Sequence, residues 1–197
     1  FPELAEVEVE SSAWENREKI ACYQGAISWE RGLREMVAAV SQANSRLLLA
    51  GAFSGEVDRK AVQGLPGWEV VEELGMLNRS ELRAMMSRCS LGLVLFHPCP
   101  NHKEAQPNKL FEYMAAGLPV VASNFPLWHT LVEGQRCGRC VDPSDTKAVA
   151  NAVRWMIDNP SEASVMGQRG RKAVIRDFHW EKEESKLISL YNELSSN

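Results

Sequence analysis

No apolar run in this chain approaches the roughly 18 residues that a membrane-spanning helix needs. The longest candidate, residues 91–96, has the length of a strand. Net charge is also small. Lys and Arg number 22 against 26 Asp and Glu, leaving −4. That balance argues against a protein held to nucleic acid by phosphate contacts, although it permits a local basic patch. Aromatic residues are 8% of the chain and scattered, so no stacking platform for single-stranded nucleic acid is expected. Cysteines number five, an odd count in a chain large enough to fold without staples. They read as free thiols in a reducing compartment. Cys137 and Cys140 form one C-x-x-C pair with no second pair at zinc spacing. His97, Cys99 and His102 crowd around two prolines, which is a poor metal cradle, so no metal site is expected. His129 and His179 are isolated. Gly-x-Ser-x-Gly, the P-loop and Gly-x-Gly-x-x-Gly are all missing. No internal repeat or low-complexity tract appears.

What is present is an ordinary globular composition, 45% apolar and 24% charged over 197 residues, enough for one domain with a full core. Residues 1–19 lack a sustained period and are rich in Glu, Ser and Ala. They read as a linker or a chain entering from elsewhere, and the chain as a piece of a longer protein. From residue 20 onward, short apolar runs alternate with amphipathic stretches. Strands are expected at 20–24, 46–50, 68–72, 90–97, 119–122 and 138–141. Helices are expected at 30–43, 57–63, 80–88, 107–116, 127–133, 146–158, 160–176 and 181–194. Leu33, Met36, Val37 and Val40 mark the buried face of the first helix, with Ser28 as its N-cap. Pro107 and Gly117 bracket the fourth helix. This alternation predicts an α/β fold: a single Rossmann-like, doubly wound parallel sheet of about six strands, with helices on both faces. Ligands in such sheets bind at the carboxyl ends of the strands.

Two junctions at those ends share a feature. Arg31 falls in the first turn of the helix that follows Gly25, and Lys109 in the first turn of the helix that follows Pro107. A lone cation at a helix start is ordinarily a solvated side chain, and it is slightly unfavourable beside the positive end of the macrodipole. A bound anion reverses that sign, and the free backbone N–H groups there would add donors. At about 100° per residue, Leu110, Phe111, Met114 and Ala115 share one face of the helix from Pro107. Asn108, Lys109 and Glu112 share the other. Glu104 lies eight positions before Glu112. Two acids and two cations are therefore expected to converge on one crevice, which suits a ligand carrying hydroxyls and phosphates.

The stretch Glu104-Ala-Gln-Pro-Asn-Lys-Leu-Phe-Glu112-Tyr-Met-Ala-Ala-Gly-Leu-Pro-Val-Val-Ala-Ser123 resembles the signature of family 4 retaining glycosyltransferases of the GT-B fold. They carry a Glu-x7-Glu motif followed by an Ala-x-Gly-x-Pro-Val-x-Ala strand. Pro107-Asn-Lys-Leu-Phe-Glu-Tyr-Met114 is the wording of a bacterial surface-polysaccharide branch. Tyr23-Gln-Gly-Ala-Ile-Ser-Trp-Glu-Arg-Gly32 is similar to that family's first strand-to-helix loop. Cys137-Gly-Arg-Cys-Val-Asp-Pro143 is similar to its late turn, and Phe1-Pro-Glu to its approach to the second domain. There are departures. Ala26 stands where many relatives have Arg, Arg31 where Lys is common, and Ala105-Gln-Pro107 where a Gly-Phe-Gly run is usual.

The resemblance implies the C-terminal, donor-binding lobe of a two-lobed enzyme, with residues 20–197 as that domain. The last helix would pack back toward a missing N-terminal lobe that binds the acceptor, a glycan or lipid-linked glycan. It implies that Glu112 holds the donor ribose and that Glu104 faces the donor sugar. Arg31 and Lys109 would neutralise the diphosphate. Asn108 and the Leu110 backbone would contact phosphate or sugar. Gly25 would belong to the donor site, and Gly75 and Leu77 would lie in the loop that cradles the base. Glu104, Arg31 and Lys109 are thus the expected catalytic residues. The reaction implied is transfer of a sugar from a nucleotide-diphosphate sugar with retention, without a metal or other cofactor. The setting implied is cytoplasmic, with the missing lobe able to reach the inner face of the membrane. A sugar-nucleotide epimerase of the same fold and a non-enzymatic α/β binding domain remain open on the residues alone.

Overall fold

The computed structural model describes residues 1–3, 14–55, 57 and 59–195. Six strands form one sheet: β1 (Ile20–Gln24), β2 (Arg46–Ala50), β3 (Val71–Gly75), β4 (Leu91–Val94), β5 (Val120–Ser123) and β6 (Gly138–Val141). Their order is β3-β2-β1-β4-β5-β6, and every neighbouring pair is parallel. The expected doubly wound sheet is therefore the fold. All residues of β1, β4 and β5 are buried, as continuous apolar strands covered on both faces must be. The edges β3 and β6 are only partly covered.

Nine helices join and cover the strands among the described residues: α1 (Leu33–Gln42), α2 (Arg59–Gln63), α3 (Arg79–Arg88), α4 (Pro100–Lys103), α5 (Asn108–Ala115), α6 (Pro126–Val132), α7 (Thr146–Asp158), α8 (Pro160–Asp177) and α9 (Trp180–Ser195). Helix α7 lies on α1, and α8 lies on α5. Local chemistry explains the clean starts. Asn78 and Glu81 form a reciprocal capping box on α3. Asp145 accepts from the Ala148 amide at the start of α7.

Three expectations need correction. The single helix at 30–43 is two pieces: a 3-10 turn over Trp29–Arg31, then α1. Gly32 separates them in the left-handed region at φ 77°. A Cβ on Gly32 would sit 1.9 Å from the Leu95 carbonyl oxygen, so the chain must break there to pass the end of β4. Ser28 precedes the turn but makes no side-chain capping bond. Residues 68–70 form a 3-10 turn, and β3 begins only at Val71. The short helix α4 was not anticipated.

Residues 4–13 of the expected linker lie outside the described residues. Its later part is anchored. Arg17 donates to the carbonyls of Met86 (2.9 Å) and Cys89 (2.7 Å) at the end of α3, and to Ala116 (3.0 Å) at the end of α5. At the other terminus α9 has no buried residue. Leu187, Ile188, Leu190, Tyr191 and Leu194 remain exposed along it.

The carboxyl ends of β1, β2 and β3 are laced by glycines. The Gly25 amide donates to Ala50 (3.0 Å) and the Gly51 amide to Gly75 (2.7 Å). Gly51 has φ 137°, and a Cβ there would meet the Gly25 oxygen at 1.9 Å. Gly51→Ala should therefore force strained backbone against backbone and cost about 2–4 kcal/mol. For a chain of this size that is a fall of roughly 5–15 °C in melting temperature. Thermal denaturation reads it directly, and an unchanged midpoint would show that the two glycines are not in contact.

Candidate functional site

β1 and β4 are neighbours in the sheet, and the chain leaves their carboxyl ends in opposite directions along the strand order. The resulting crevice is where doubly wound folds hold ligands. Four side chains converge there: Tyr23 from β1, Arg31 from the turn after it, Phe96 just past β4, and Lys109 from the first turn of α5.

Lys109 is the most unusual of them. Only 7% of it is exposed, against the expectation of a solvated cation. Its stem reaches over the end of β1, so that a Cβ on Gly25 would lie 3.1 Å from Nζ. Gly25 itself has φ 111°. Nζ donates to the Tyr23 hydroxyl at 2.9 Å, and that hydroxyl donates to the Ala26 carbonyl at 2.6 Å. The ammonium stands 4.0 Å from the Tyr23 ring centre and 4.9 Å from that of Phe96. The Arg31 guanidinium shares Phe96 at 5.3 Å. No ion pair from Lys109 or Arg31 to a carboxylate occurs among the described residues.

Burial lowers the Lys109 pKa to about 7, Arg31 adds to the effect, and Glu112 opposes it. The fall from 10.5 corresponds to roughly 5 kcal/mol against the charged form. A cation–π contact returns about 0.5–2 kcal/mol, so the two rings do not cancel the loss of water. Burial also pushes the Tyr23 hydroxyl up to about 12, against the pull of Arg31.

Glu112 sits one turn along α5 and accepts a short bond from the Gln24 amide nitrogen. Burial raises its pKa, while the Gln24 bond and Lys109 oppose the rise. Gln24 Oε1 is buried without a partner. Gln24, Asn108 and Glu112 line one end of a cavity of about 640 Å3 that runs between α3 and α5 past Leu82, Met86 and Ala116.

The remaining expected residues are arranged differently. Asn108 opens α5 and is exposed. The Leu110 side chain is fully buried, and its amide already donates to Pro107 at 3.0 Å. The expected backbone contact from Leu110 therefore has no free donor. The amides of Asn108 and Lys109 carry no such backbone bond. Gly75 and Leu77 lie beyond β2 on the rim, with Gly75 at φ 65°. Glu104 follows α4, is exposed, and makes no hydrogen bond or ion pair to another expected site residue among the described residues. Its neighbour Ala105 is fixed by Trp128, whose indole N–H donates to the Ala105 carbonyl at 2.7 Å. The convergence therefore holds for Gly25, Arg31, Asn108, Lys109 and Glu112, and not for Glu104.

Sequence reasoning passed over Tyr23, Gln24 and Phe96 as site residues. Their only signal was position, at the carboxyl ends of the two strands flanking the crevice. Among the described residues no group of three His, Cys, Asp or Glu side chains gathers as a metal cradle. All five cysteines are free thiols. Burial pushes Cys137 and Cys140 up to about 12, which suits inert thiols.

Comparison with known proteins now bears on this geometry. Residues 5–173 match the family described as Glycosyl transferases group 1. The chain belongs to that family. Glycogen synthase of Mycobacterium tuberculosis is 25% identical over 178 residues, covering 86% of this chain and 41% of that protein. The chain spans less than half the length of the curated relatives it matches. Anabaena HepE, solved in complex with UDP, superposes with a TM-score of 0.77 at 19% identity, over 91% of this chain and 50% of that one. The C-terminal domain of a glycosyl transferase group 1 family protein (LpcC) from Francisella tularensis superposes at 0.70 with 15% identity, over 88% and 97%. These likenesses carry the group 1 fold. No described helix is long and apolar enough to cross a membrane.

The burial of Lys109 has a testable consequence for stability. Unfolded, the side chain titrates near its ordinary value, far above its folded value of about 7. Between those two values the unfolded chain holds the extra proton, so Lys109 makes the fold more stable as pH rises from 7 toward 10. Lys109→Met removes the buried charge. It should raise the melting temperature at pH 7 by roughly 4–10 °C, and the gap to wild type should narrow toward pH 9. Paired thermal scans at both pH values check this. No gap at pH 7 would mean that the ammonium is solvated.

Proposed function

We propose that this chain is the donor-binding, C-terminal lobe of a family 4 retaining glycosyltransferase. It moves a sugar from a nucleotide-diphosphate sugar to a glycan or lipid-linked glycan in surface polysaccharide synthesis. One observation carries the reading. Two basic side chains, Arg31 and Lys109, meet at the sheet's crevice with no ion pair to a carboxylate among the described residues, beside the open amides at the start of α5. A diphosphate supplies the missing charge and accepts from those amides.

In this reading the Glu112 carboxylate, oriented by Gln24, takes the ribose hydroxyls. The adjoining end of the cavity between α3 and α5 takes the nucleoside, with Gly75 and Leu77 near the base. Asn108 contacts phosphate or sugar. Glu104 faces the sugar, a role that asks for movement of the exposed loop on which it lies. Departure of the nucleoside diphosphate builds negative charge, which Arg31, Lys109 and the α5 N-terminus stabilise without a divalent ion. The sugar passes through an oxocarbenium-like state, and retention follows from attack on the same face. The acceptor and any catalytic base come from an N-terminal lobe. The exposed apolar stripe of α9 packs back toward that lobe. The setting is cytoplasmic, consistent with free thiols.

Binding to a panel of UDP-, GDP- and ADP-sugars tests the reading by thermal shift. A ligand at 100 times Kd stabilises by about 2.7 kcal/mol, or roughly 5–10 °C here. One nucleotide class should give that shift, and Arg31→Ala and Glu112→Ala should each abolish it. No shift with any nucleotide, in this chain and in the full-length protein alike, overturns the reading. An unchanged shift in Arg31→Ala would favour a non-enzymatic binding domain.

A further inference from the structure

The position of Lys109 says more than that a cation is present. Among the described residues its Nζ has one hydrogen-bond acceptor, the Tyr23 hydroxyl. That hydroxyl is itself held in place by its bond to Ala26. The rings of Tyr23 and Phe96 also stand against it, at 4.0 and 4.9 Å, and offer π-faces in place of acceptors. In water an ammonium has three acceptors for its three N–H bonds. Here it has one, and a second cation leans on the same Phe96 ring.

We infer that a diphosphate enters this site together with a proton, taken up at Lys109 Nζ, with Tyr23 and Phe96 as the positioning residues that make it so. The inference rests on the donor-site reading above. The proton comes from solvent and bonds to the Nζ lone pair. The incoming phosphate oxygens then supply the acceptors and the negative charge that the empty site lacks. The empty site thus avoids holding two uncompensated cations, and full charge appears only with ligand.

The groups around Nζ allow this assignment. Tyr23 on β1 is pushed up to about 12, so it stays protonated through neutral pH. Arg31, on the turn after β1, disfavours a second positive charge beside it. Phe96, past β4, does not titrate. Its other neighbours are the His102 ring at 4.8 Å and Trp128 at 5.3 Å. On α5 itself, Glu112 favours the charged lysine, but its carboxylate is already engaged by Gln24. Tyr113 is held well above its ordinary range by burial. The amino terminus of Phe1 and the Arg79 guanidinium also act on Glu112 from across the cavity, while Lys109, at about 7, is positioned to titrate at the crevice between pH 7 and 9.

Isothermal titration of this chain with UDP, and in parallel arms GDP and ADP, tests the inference. At pH 8.0, measured in HEPES and in Tris, binding should take up about 0.9 proton per site, the neutral fraction for a group titrating near 7. Affinity should fall roughly 50-fold from pH 7 to pH 9, since each pH unit above the free-site value costs about tenfold. Lys109→Arg, charged throughout, should bind with a flat pH profile. Lys109→Met should bind weakly, also with a flat profile. Tyr23→Phe removes the one acceptor, so its affinity should begin to fall at lower pH than in wild type, an effect that simple loosening of the fold does not give. Binding without proton uptake, or a Lys109→Arg profile as steep as wild type, overturns this inference and leaves the donor-site reading standing. Failure of all three nucleoside diphosphates to bind wild type at any pH overturns both.

Discussion

The crevice between β1 and β4 is the constraint on which the rest of this structure depends. The strand order β3-β2-β1-β4-β5-β6 sends the chain away from β1 on one side and from β4 on the other. Nothing in the ladder can then cover the place where the two paths part. Everything of chemical interest is aimed at that gap. Gly25 and Gly51 let the backbone of neighbouring strand ends press together. Gly32 breaks the following helix so that Arg31 turns back over Phe96. Each is a local concession in backbone geometry that brings charge to the same small volume.

That charge is held against the ordinary preferences of a folded chain. Lysine is seldom buried, and when it is, a carboxylate usually accompanies it. Lys109 has instead a phenol and two aromatic faces. Such a group lowers stability, and proteins tend to keep destabilising groups where a ligand will meet them. Glu112 follows the same logic with opposite sign. It is partly buried, its ordinary pKa is raised, and one amide is its main support. An acid and a base are both kept poorly solvated within one helical turn of each other.

Much of this was legible in residue order. Apolar runs separated by amphipathic stretches yield all six strands, and the helix at Thr146–Asp158 falls where its periodicity puts it. Pro107 marks the start of α5, and the family signature was readable from its residues. The misses have physical causes. The break at Gly32 is imposed by the Leu95 carbonyl, which is distant in sequence. The early end assigned to residues 68–72 reflects a Trp-Glu-Val stretch that suits a strand by composition but is turned by Gly67 in the left-handed region. At the site, the helical wheel put Lys109 with the polar residues because angular position says nothing about how far a flexible stem can reach. Tyr23 and Phe96 were invisible as site residues because an aromatic at the end of a buried strand looks like core until its neighbours are known. Glu104 was joined to Glu112 by spacing in the chain, but α4 and the Trp128–Ala105 bond carry it onto an exposed loop.

Arg17 has a mechanical meaning of its own. A single planar guanidinium is bonded to the last carbonyls of two helices, Met86 and Cys89 on one and Ala116 on the other. Three bonds from the two terminal nitrogens of one rigid plane hold those ends at a set separation, as a rivet holds two plates. The cavity between the two helices is lined by that rivet as well as by Gln24 and Glu112, so the spacing of its walls beside Met86 and Ala116 is set by the span of one arginine head.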